Sequence, residues 1–556
     1  MSYFTLDMSC STWCALGRSV HACTVAGGTL GDTMTESATD DSDFLAKFGY
    51  KQELDRSLGK FSSFAAGFSF VSILTGVFML FGFGFGAAGP AFWWSIPIIA
   101  GGQFLVAMLL AELASRYPIA GGVYQWAKQI STPFAGWSAG WLMILTIMVA
   151  VAGPSVSMQI VLPQLWSGFE VFGTSADIGT YATPAGAENA VLLGACLLVV
   201  TTIINIVGVR VMALINNIGV FTELIGCSLL IIVLFAHTER GPGIVLDTAG
   251  TSGGTAVGLI GVLAVASLFA VNIYAGFDAA GSLAEETSNP RKFAPRAILR
   301  AVAASVLMGG LLVLAAQMAM PDILGSNNVD LIASQGLPFV LKATLGDGLA
   351  TVFLVAVAIS MFVCALAVQA SGIRMVFSMA RDGRLPFAKT LSAVNPKTRS
   401  MIAASLLVGV VPIGLLLINL GNSSLFATVA ALAAVTIYIV YLILTVSLLV
   451  KRVKGQWPTP EHGPYFKLGR WGLPVNVIAV VFQVVVLINT AWPRAEVWGD
   501  AAWYYQWGAF VFVGAMVLIG WAVYASLKRR GRQNAGAEHF VQPETPTAAQ
   551  ERRQNV

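Results

Sequence analysis

The chain has 556 residues, of which 56% are hydrophobic and only 11% are charged, and its mean hydropathy is +0.76. A soluble globular protein carries about 25% charged residues, so the composition excludes that class and indicates a polytopic membrane protein. The net charge of +4 decides little by itself, but the distribution of the positive charges bears on orientation.

Apolar runs long enough to cross a bilayer as a helix, which takes about 20 residues, recur along the chain and are numbered here as spans one to twelve. They lie near residues 64–86, 91–113, 134–163, 189–208, 214–236, 257–280, 299–319, 347–373, 401–420, 425–450, 473–492 and 507–526. An even number of spans places both termini on one side. All Lys and Arg residues except Arg240, Lys342 and Arg494 fall on that side, and cytoplasmic loops retain such residues. The sequence therefore predicts an all-α multi-pass protein of the plasma membrane with both termini in the cytoplasm.

The first 33 residues differ in composition from the rest of the chain and lack the continuous apolar core of a cleavable signal peptide. An acidic, Ser/Thr-rich stretch begins at Met34, so we expect translation to start there and the tail to be disordered until about Asp43. Three cysteines lie near His21 at positions 10, 14 and 23. Their spacing matches no common zinc motif, so no metal or cofactor is predicted.

Span one comes after a short amphipathic lead-in that contains Tyr50 and Arg56, and it carries the motif SFVSILTG. This combination resembles the amino acid/choline transporter branch of the amino acid-polyamine-organocation (APC) superfamily. In that superfamily the first span is broken near its middle, and the resemblance places the break at Ser72 to Gly76. It implies that Ser72, Thr75 and Gly76 leave backbone N–H groups open to a substrate carboxylate at the start of a half-helix. Close packing of helices through small residues is the alternative.

Span two ends in AELASRYPIAGGVYQWAK, which also resembles the superfamily. Glu112 and Arg116 are four residues apart and share a helix face, so a local ion pair is one interpretation. A part in closing the inner gate is the other.

Span five contains Glu223 within an apolar run. Some relatives in the superfamily carry a lysine at the aligned position, where sodium sits in sodium-coupled relatives. An acid here suits a proton carrier or a cation ligand, which makes Glu223 a candidate for ion coupling. A permanently protonated, hydrogen-bonded structural residue is the alternative.

Span six is interrupted by Gly276, Asp278 and Gly281. A carboxylate at the bilayer centre costs about 2.5–3.5 kcal/mol on insertion scales, and irregular backbone at that depth is tolerated where it lines a site. Asp278 is therefore predicted to contact substrate or coupling ion, with capping of the following half-helix as the alternative. Tyr274 and Phe277 flank the break, where they would cover the substrate or stack on a cationic amine.

The exit of span six, AEETSNPRKFAPRAI, and the segment RMVFSMARDGRLP after span eight both resemble inner motifs of the superfamily. Glu285 and Glu286 lie near the cytoplasmic end and are predicted to be gate or cap residues. In proteins of the leucine-transporter fold, a basic residue before span one pairs with an acid at the inner end of span eight. Arg56 and Asp382 match those places, so the resemblance implies that they close the inner gate.

Span eight carries two polar residues in its inner half, Gln369 and Ser371. Both are candidates for the face opposite the broken helices, Gln369 for substrate binding and Ser371 for ion coupling. Hydrogen bonding between helices is the alternative.

Two interrupted helices five spans apart fit a carrier built from inverted repeats. The resemblance implies twelve transmembrane helices in a leucine-transporter-type 5+5 inverted repeat plus two extra helices. The predicted segments are the cytoplasmic tail 1–60, the repeats 61–236 and 257–450, helices eleven and twelve over 473–527, and the tail 528–556.

A secondary active permease is the predicted function, working by alternating access across the bilayer. The chain has no Walker-type phosphate loop, so a gradient must drive uptake, with protons favoured over sodium. Amino acids are the expected substrate, and the alternative is an amine such as choline, a polyamine or gamma-aminobutyrate. No nucleic-acid partner is expected.

Two rival classes are a membrane enzyme and a non-transporting nutrient receptor. The four histidines fall in tails, loops or at a span end, which argues against the clustered groups that catalysis requires. A receptor would more often carry a large folded cytoplasmic domain, and neither tail has the apolar content to form one.

Overall fold

The computed structural model of the protein describes residues 45–54, 56–173, 183–253, 256–321, 326–417, 420, 425–493 and 507–534. These residues are almost entirely helical, and their only extended pairing is a single parallel bridge between Leu58 and Thr287. The predicted start at Met34 and the N-terminal cysteines lie outside the described residues.

The α-helices are labelled in chain order. They are α1 (Lys60–Val71), α2 (Ile73–Ala88), α3 (Ser95–Arg116), α4 (Gly122–Ile130), α5 (Pro133–Ala150), α6 (Ala152–Leu165), α7 (Pro184–Val207), α8 (Val209–Ala236), α9 (Ala256–Ile273), α10 (Ala279–Ser282), α11 (Pro290–Ala319), α12 (Ser326–Arg381), α13 (Ala388–Leu391), α14 (Ile402–Leu417), α15 (Leu425–Val453), α16 (Gly472–Ala491) and α17 (Gly508–Asn534).

The helices account for every predicted span. The described residues contain nine apolar helical stretches long enough to cross a membrane, and one of these, Lys60–Arg116, holds spans one and two together. Spans six and nine correspond to two shorter apolar helices, Val257–Ile273 and Ile402–Leu417. The all-α polytopic fold class is therefore confirmed.

Span one is broken at Ser72, where α1 gives way to α2. Ser72 has φ 38, a value that a residue with a side chain adopts only when its surroundings impose it. Span six is broken between Ile273 and Ala279, and Gly276 within this break has φ 91, which glycine adopts without strain. Both breaks fall where the sequence predicts them.

The two broken spans lie against each other and against span eight, since α2 packs on both α9 and α12. The contact is close at Gly76, where a Cβ atom would lie 2.8 Å from Cγ1 of Ile273. Glycine at position 76 therefore allows α2 to pack directly on span six. Helix α12 bends at Gly336 (φ 64) and Gly346 (φ 74), so a separate helical segment precedes span eight.

The lead-in before span one is docked on the protein rather than belonging to a free tail. Leu45, Leu54 and Leu58 are buried, and the Leu58 N–H donates to the Glu286 carbonyl at 2.9 Å. The Leu58 carbonyl accepts from the Ser288 N–H at 3.0 Å. The described part of the lead-in therefore packs on the exit of span six. At the other end of the chain α17 continues to Asn534, past the predicted end of span twelve.

Candidate functional site

The break in span one is held by the carboxyl group of Glu223. Its Oε1 accepts hydrogen bonds from the Ser72 hydroxyl and the Leu74 N–H, both at 3.1 Å. The Ser72 hydroxyl also contacts those of Thr75 at 2.6 Å and Ser360 at 2.8 Å. Glu223 is fully buried, so a side chain from span five caps the half-helix α2 inside the membrane.

The break in span six is held in the same way by Tyr441 of span ten. Its hydroxyl accepts from the Gly276 N–H at 3.2 Å and donates to Oδ1 of Asp278. The rings of Tyr441 and Phe277 lie 5.5 Å apart, and the Gly276 backbone is covered by the ring of Phe70. Asp278 makes no side-chain hydrogen bond to the backbone of the four-residue helix α10, so it binds Tyr441 rather than capping that helix.

The two breaks are therefore built alike. In each, a backbone N–H at the interruption donates to a side chain from another span, Leu74 to Glu223 and Gly276 to Tyr441. In both cases the side chain comes from the span four places after the broken one: span five holds span one, and span ten holds span six. The other carboxylate oxygens, Oε2 of Glu223 and Oδ2 of Asp278, are buried and have no hydrogen-bond partner among the described residues.

A cavity of about 110 Å³ lies between the breaks and spans three, eight and ten. Its lining residues are predominantly apolar. They are Phe70, Val71, Thr75, Gly76, Met79, Thr146, Val149, Ala150, Gly153, Pro154, Asn272, Ile273, Ala275, Cys364, Val368, Ala433, Ala434 and Ile437. Of the predicted substrate residues, Thr75 and Gly76 line it directly.

The other predicted substrate residues lie behind the cavity wall. Ser72 and Gly276 shape the two breaks, and Phe277 and Asp278 are buried beneath Tyr441. Tyr274 points toward span seven, where its hydroxyl would lie 2.6 Å from a Cβ atom on Gly309. In this conformation Asp278 supports the break rather than lining the cavity.

Gln369 and Ser371 both lie away from the cavity. The Gln369 amide donates to the Thr202 hydroxyl at 3.2 Å, which corresponds to the predicted alternative of hydrogen bonding between helices. Ser371 lies eleven residues after Ser360, a rise of about 16 Å along the helix. Ser360 is therefore the span-eight hydroxyl beside Glu223.

Two ion pairs lie on the predicted cytoplasmic side of the cavity. Arg374 binds both carboxylate oxygens of Glu286, at 2.8 and 3.0 Å, and Arg381 binds both of Glu285, at 2.9 and 3.2 Å. Glu285 also accepts from the Ala120 N–H at 3.0 Å. These pairs join the exit of span six to span eight, where Arg374 lies about 9 Å along the helix from the cavity residue Val368.

Asp382 forms a salt bridge with Lys128, at 2.7 Å, at the place where the resemblance implies Arg56. It also accepts from the hydroxyls of Tyr50 at 2.8 Å and Tyr124 at 2.7 Å. Burial and the Asp382 carboxylate raise the pKa of both tyrosines, so both remain donors. Helix α4 thus brings Lys128 to Asp382 and the lead-in presents Tyr50 there, while a gate role for Arg56 stays a prediction.

Glu112 also pairs differently from the predicted local ion pair. It forms a salt bridge with Arg452 at the end of span ten and accepts from the Leu468 N–H at 3.1 Å. Arg116 donates to the Thr459 hydroxyl at 2.9 Å and lies over the rings of Phe48 and Tyr117. Both residues bind the connection between spans ten and eleven. The spacing of residues in the sequence does not predict that this connection lies next to span two.

The same connection carries a buried histidine, His462. Its Nε2 lies 2.9 Å from both the Ser115 hydroxyl and the Phe466 carbonyl, and Arg291 donates to its backbone carbonyl at 3.2 Å. Burial lowers the pKa of His462 to about 4, and the neighbouring charges of Arg116, Arg291 and Lys467 contribute to the lowering. The connection thus clamps the predicted inner ends of spans two and seven.

Sequence reasoning missed Ser360, Tyr441 and Lys128. A tyrosine within an apolar span requires a hydrogen-bond partner for its hydroxyl, so the sequence could have indicated that Tyr441 binds another polar group. Ser360 and Lys128 offered none, since serine is common in membrane helices and lysine is common at their ends.

The comparisons with known proteins agree with this architecture. A family model described as amino acid permease matches residues 58–519. The chain is 27% identical to the amino-acid permease BAT1 of Arabidopsis thaliana over 476 residues, which cover 81% of this chain and 88% of the relative. It is 25% identical to the thiamine transporter thi9 of Schizosaccharomyces pombe, with coverage of 83% and 82%. It is 27% identical to a putative amino acid/polyamine transporter of Macrophomina phaseolina, with coverage of 77% and 94%. The family model spans most of the chain, which therefore belongs to the amino acid permease family of the APC superfamily and is a transporter rather than an enzyme.

Proposed function

We propose that this permease is a proton-coupled secondary carrier that moves amino acids or related amines across the plasma membrane by alternating access. The observation that carries the proposal is the pair of breaks, each held by a side chain from another span, on either side of one cavity. Interrupted helices from two repeats that meet around a solute are the architecture of many secondary carriers. The names of the relatives, an amino-acid permease, an amino acid/polyamine transporter and a thiamine transporter, fit this substrate range.

The correspondence between Glu223 and Tyr441 supports division of the chain into two repeats, 61–236 and 257–450. Each residue lies in the fifth span of its repeat and holds the break in the first. Helices eleven and twelve, over 473–527, then lie outside the repeats. Both termini would face the cytoplasm, in keeping with the positive charge on that side.

The described conformation corresponds to a state with the inner side closed. The ion pairs of Glu285 and Glu286 and the cluster around Asp382 lie between the cavity and the predicted cytoplasm. Inward release of a solute requires these contacts to separate. We therefore assign them, together with Glu112, Arg116 and Arg56 near the same face, to the inner gate.

Glu223 is the proposed proton carrier. Its carboxyl group contacts the Ser72 hydroxyl and the Leu74 N–H, and the nearby hydroxyls of Ser72, Thr75 and Ser360 are bonded to one another at 2.6 to 3.4 Å. Because these hydroxyl oxygens are hydrogen-bonded to one another, they are not arranged around an open space that a cation could occupy. Sodium coupling would require the cluster to rearrange.

Uptake by purified protein in liposomes tests the proposal. Labelled amino acids, amines and thiamine are offered under an inward proton gradient and, separately, an inward sodium gradient. We expect accumulation that collapses when the pH gradient is dissipated and that is lost in Glu223→Gln. The matched control is Glu188→Gln, which removes an exposed carboxylate of α7 just before span four and should transport normally. Sodium-driven accumulation would overturn the coupling, and binding without uptake would instead support a receptor.

A further inference from the structure

Helix α11 carries a row of positive charges at its predicted cytoplasmic end. Lys292, Arg296 and Arg300 are spaced four residues apart, which places them on one face of the helix, and all three are exposed. Other faces of α11 are buried against spans one and two. These three residues, called here the cationic row, therefore face away from the protein.

The cationic row has no carboxylate partner in the described part of the chain. Other cations on the same predicted side are paired: Arg374, Arg381 and Arg452 each bind a buried glutamate, and Lys128 binds Asp382. No described residue forms an ion pair or hydrogen bond with the row. Like charges four residues apart destabilise a helix, so this arrangement favours an anion from outside the chain.

Span one adds a fourth cation beside the row. Lys60 begins α1 and is exposed, and its Nζ lies 5.1 Å from the centroid of the Phe293 ring. Phe293 comes three residues before Arg296, so it lies on the same side of α11. The start of α11 also carries the partial positive charge of a helix N-terminus. Positive charge from two spans is thus gathered at one place on the predicted inner surface.

The same face of α11 continues as an apolar surface. Ala303, Leu307 and Leu311 follow Arg300 at helical spacing and are exposed, with Leu307 63% and Leu311 37% accessible. The helix rises about 16 Å from Arg300 to Leu311, which is close to half of the hydrocarbon core of a bilayer, about 15 Å. This face therefore matches a molecule with an anionic head and an apolar chain one leaflet long.

We propose that this face of α11 binds an anionic phospholipid of the predicted cytoplasmic leaflet. The cationic row and Lys60 bind the phosphate, and an acyl chain lies along Leu307 and Leu311. Clusters of Lys and Arg at the cytoplasmic end of a span recognise such lipids. The row rises about 12 Å along the helix, and the long stems of Lys and Arg let their charged ends reach the level of the headgroups. Because the ligand is a membrane lipid and not the transported solute, the inference goes beyond the proposed function.

Native mass spectrometry of the purified full-length protein tests the inference. Phosphatidylglycerol and phosphatidylcholine with identical acyl chains are offered together in equal amounts. A single Lys or Arg near an anionic surface strengthens the attraction about fivefold, so bound phosphatidylglycerol should exceed phosphatidylcholine at least about tenfold. This excess should fall as the salt concentration is raised. Equal binding of the two lipids, or an excess that salt does not change, would overturn the inference.

Neutral variants locate the lipid on α11. The triple variant Lys292→Gln, Arg296→Gln and Arg300→Gln should lose most of the preference for phosphatidylglycerol. If it is misfolded, Arg296→Gln alone decides, with an expected loss of about fivefold. An unchanged preference in a folded variant would contradict the proposal.

Two controls separate this site from general attraction and from a site for free phosphate. The control variant removes three exposed cations from the inner ends of spans ten and twelve and should keep the preference; its substitutions are Lys454→Gln, Lys528→Gln and Arg529→Gln. Glycerol 1-phosphate carries the phosphate without the chains, so at equal concentration it should not displace phosphatidylglycerol. An equal loss in the control variant, or displacement by glycerol 1-phosphate, would overturn a lipid site on α11.

Discussion

The Leu74 N–H donates to the Glu223 carboxyl group at 3.1 Å, although the two residues are separated by 149 positions in the chain. This bond gives the start of α2 an acceptor inside the membrane, where water cannot supply one. It also explains how Ser72 keeps a positive φ, because its hydroxyl is fixed by the same carboxyl group.

The first prediction concerns the stability of this break. Glu223→Leu leaves the Leu74 N–H without its acceptor, and a buried unsatisfied donor costs about 1–3 kcal/mol. Glu223→Gln keeps an oxygen at the same place and should remain close to the wild type in stability. Thermal unfolding of the detergent-solubilised variants measures the difference, and equal destabilisation of both would show that the N–H is satisfied in another way.

The second prediction concerns Tyr441. Tyr441→Phe removes the group that holds both Gly276 and Asp278, so we expect uptake to fall by at least about tenfold, as for a loss of about 1.4 kcal/mol. Tyr438→Phe is the matched control, one turn away on the same helix. Its hydroxyl accepts from Gln103 at 2.7 Å and has no part in the break, so this variant should retain transport. Similar losses in both variants would assign the effect to span ten in general.

The sequence predicted the positions of the breaks and the importance of Glu223 and Asp278 because charged residues and glycines stand out in an apolar run. It did not predict their partners. Tyr441 and Ser360 reach them from spans ten and eight, and hydropathy carries no information about which faces of distant helices meet.

The same limit explains the positions that the structure places differently. Gln369 is a polar residue in a membrane span, which is why the sequence suggested that it binds substrate. Its side chain instead lies on the face of span eight that packs on span four. Arg56 and Asp382 occupy the places that the resemblance assigns to a gate pair. The cation that reaches Asp382 is decided by how α4 and the lead-in pack against span eight. The spacing of residues in the sequence does not predict that packing.

The third prediction concerns the buried pair of Glu286 and Arg374. Arg374→Met leaves the Glu286 carboxylate buried without its cation, and breaking such a pair costs about 3–5 kcal/mol. The double variant Arg374→Met with Glu286→Leu removes both charges and should recover much of that loss. Denaturation midpoints of the two single variants and the double variant test this. A double variant as unstable as the sum of the single variants would show that the ion pair itself is not the cause.

The fourth prediction asks which cation is coupled to Asp382, and it is tested by double-mutant cycles. Lys128→Ala and Asp382→Asn should be coupled, with a modest energy below about 1 kcal/mol, because the Lys128 side chain is 37% exposed. Arg56→Ala and Asp382→Asn should be additive. Uptake and thermal stability of the three single variants, the two double variants and the wild type supply the cycles. Stronger coupling of Asp382 to Arg56 than to Lys128 would restore Arg56 as its gate partner.

The last prediction concerns pH and His462, which is 1% exposed. A carbonyl oxygen can only accept a hydrogen bond, so we place the imidazole proton on the Nε2 beside the Phe466 carbonyl. The Nδ1 is buried without a partner among the described residues. The folded protein lowers the pKa of this imidazole from 6.5 to about 4. The unfolded chain therefore binds more protons between these values, and stability falls as the pH decreases from about 6.5 toward 4. A shift of more than one pKa unit corresponds to more than about 1.4 kcal/mol.

We expect His462→Gln to flatten this part of the stability profile measured by thermal unfolding, whereas His237→Gln, which replaces an exposed histidine, should leave the profile unchanged. A profile that stays equally steep in His462→Gln would assign the acid sensitivity to other groups.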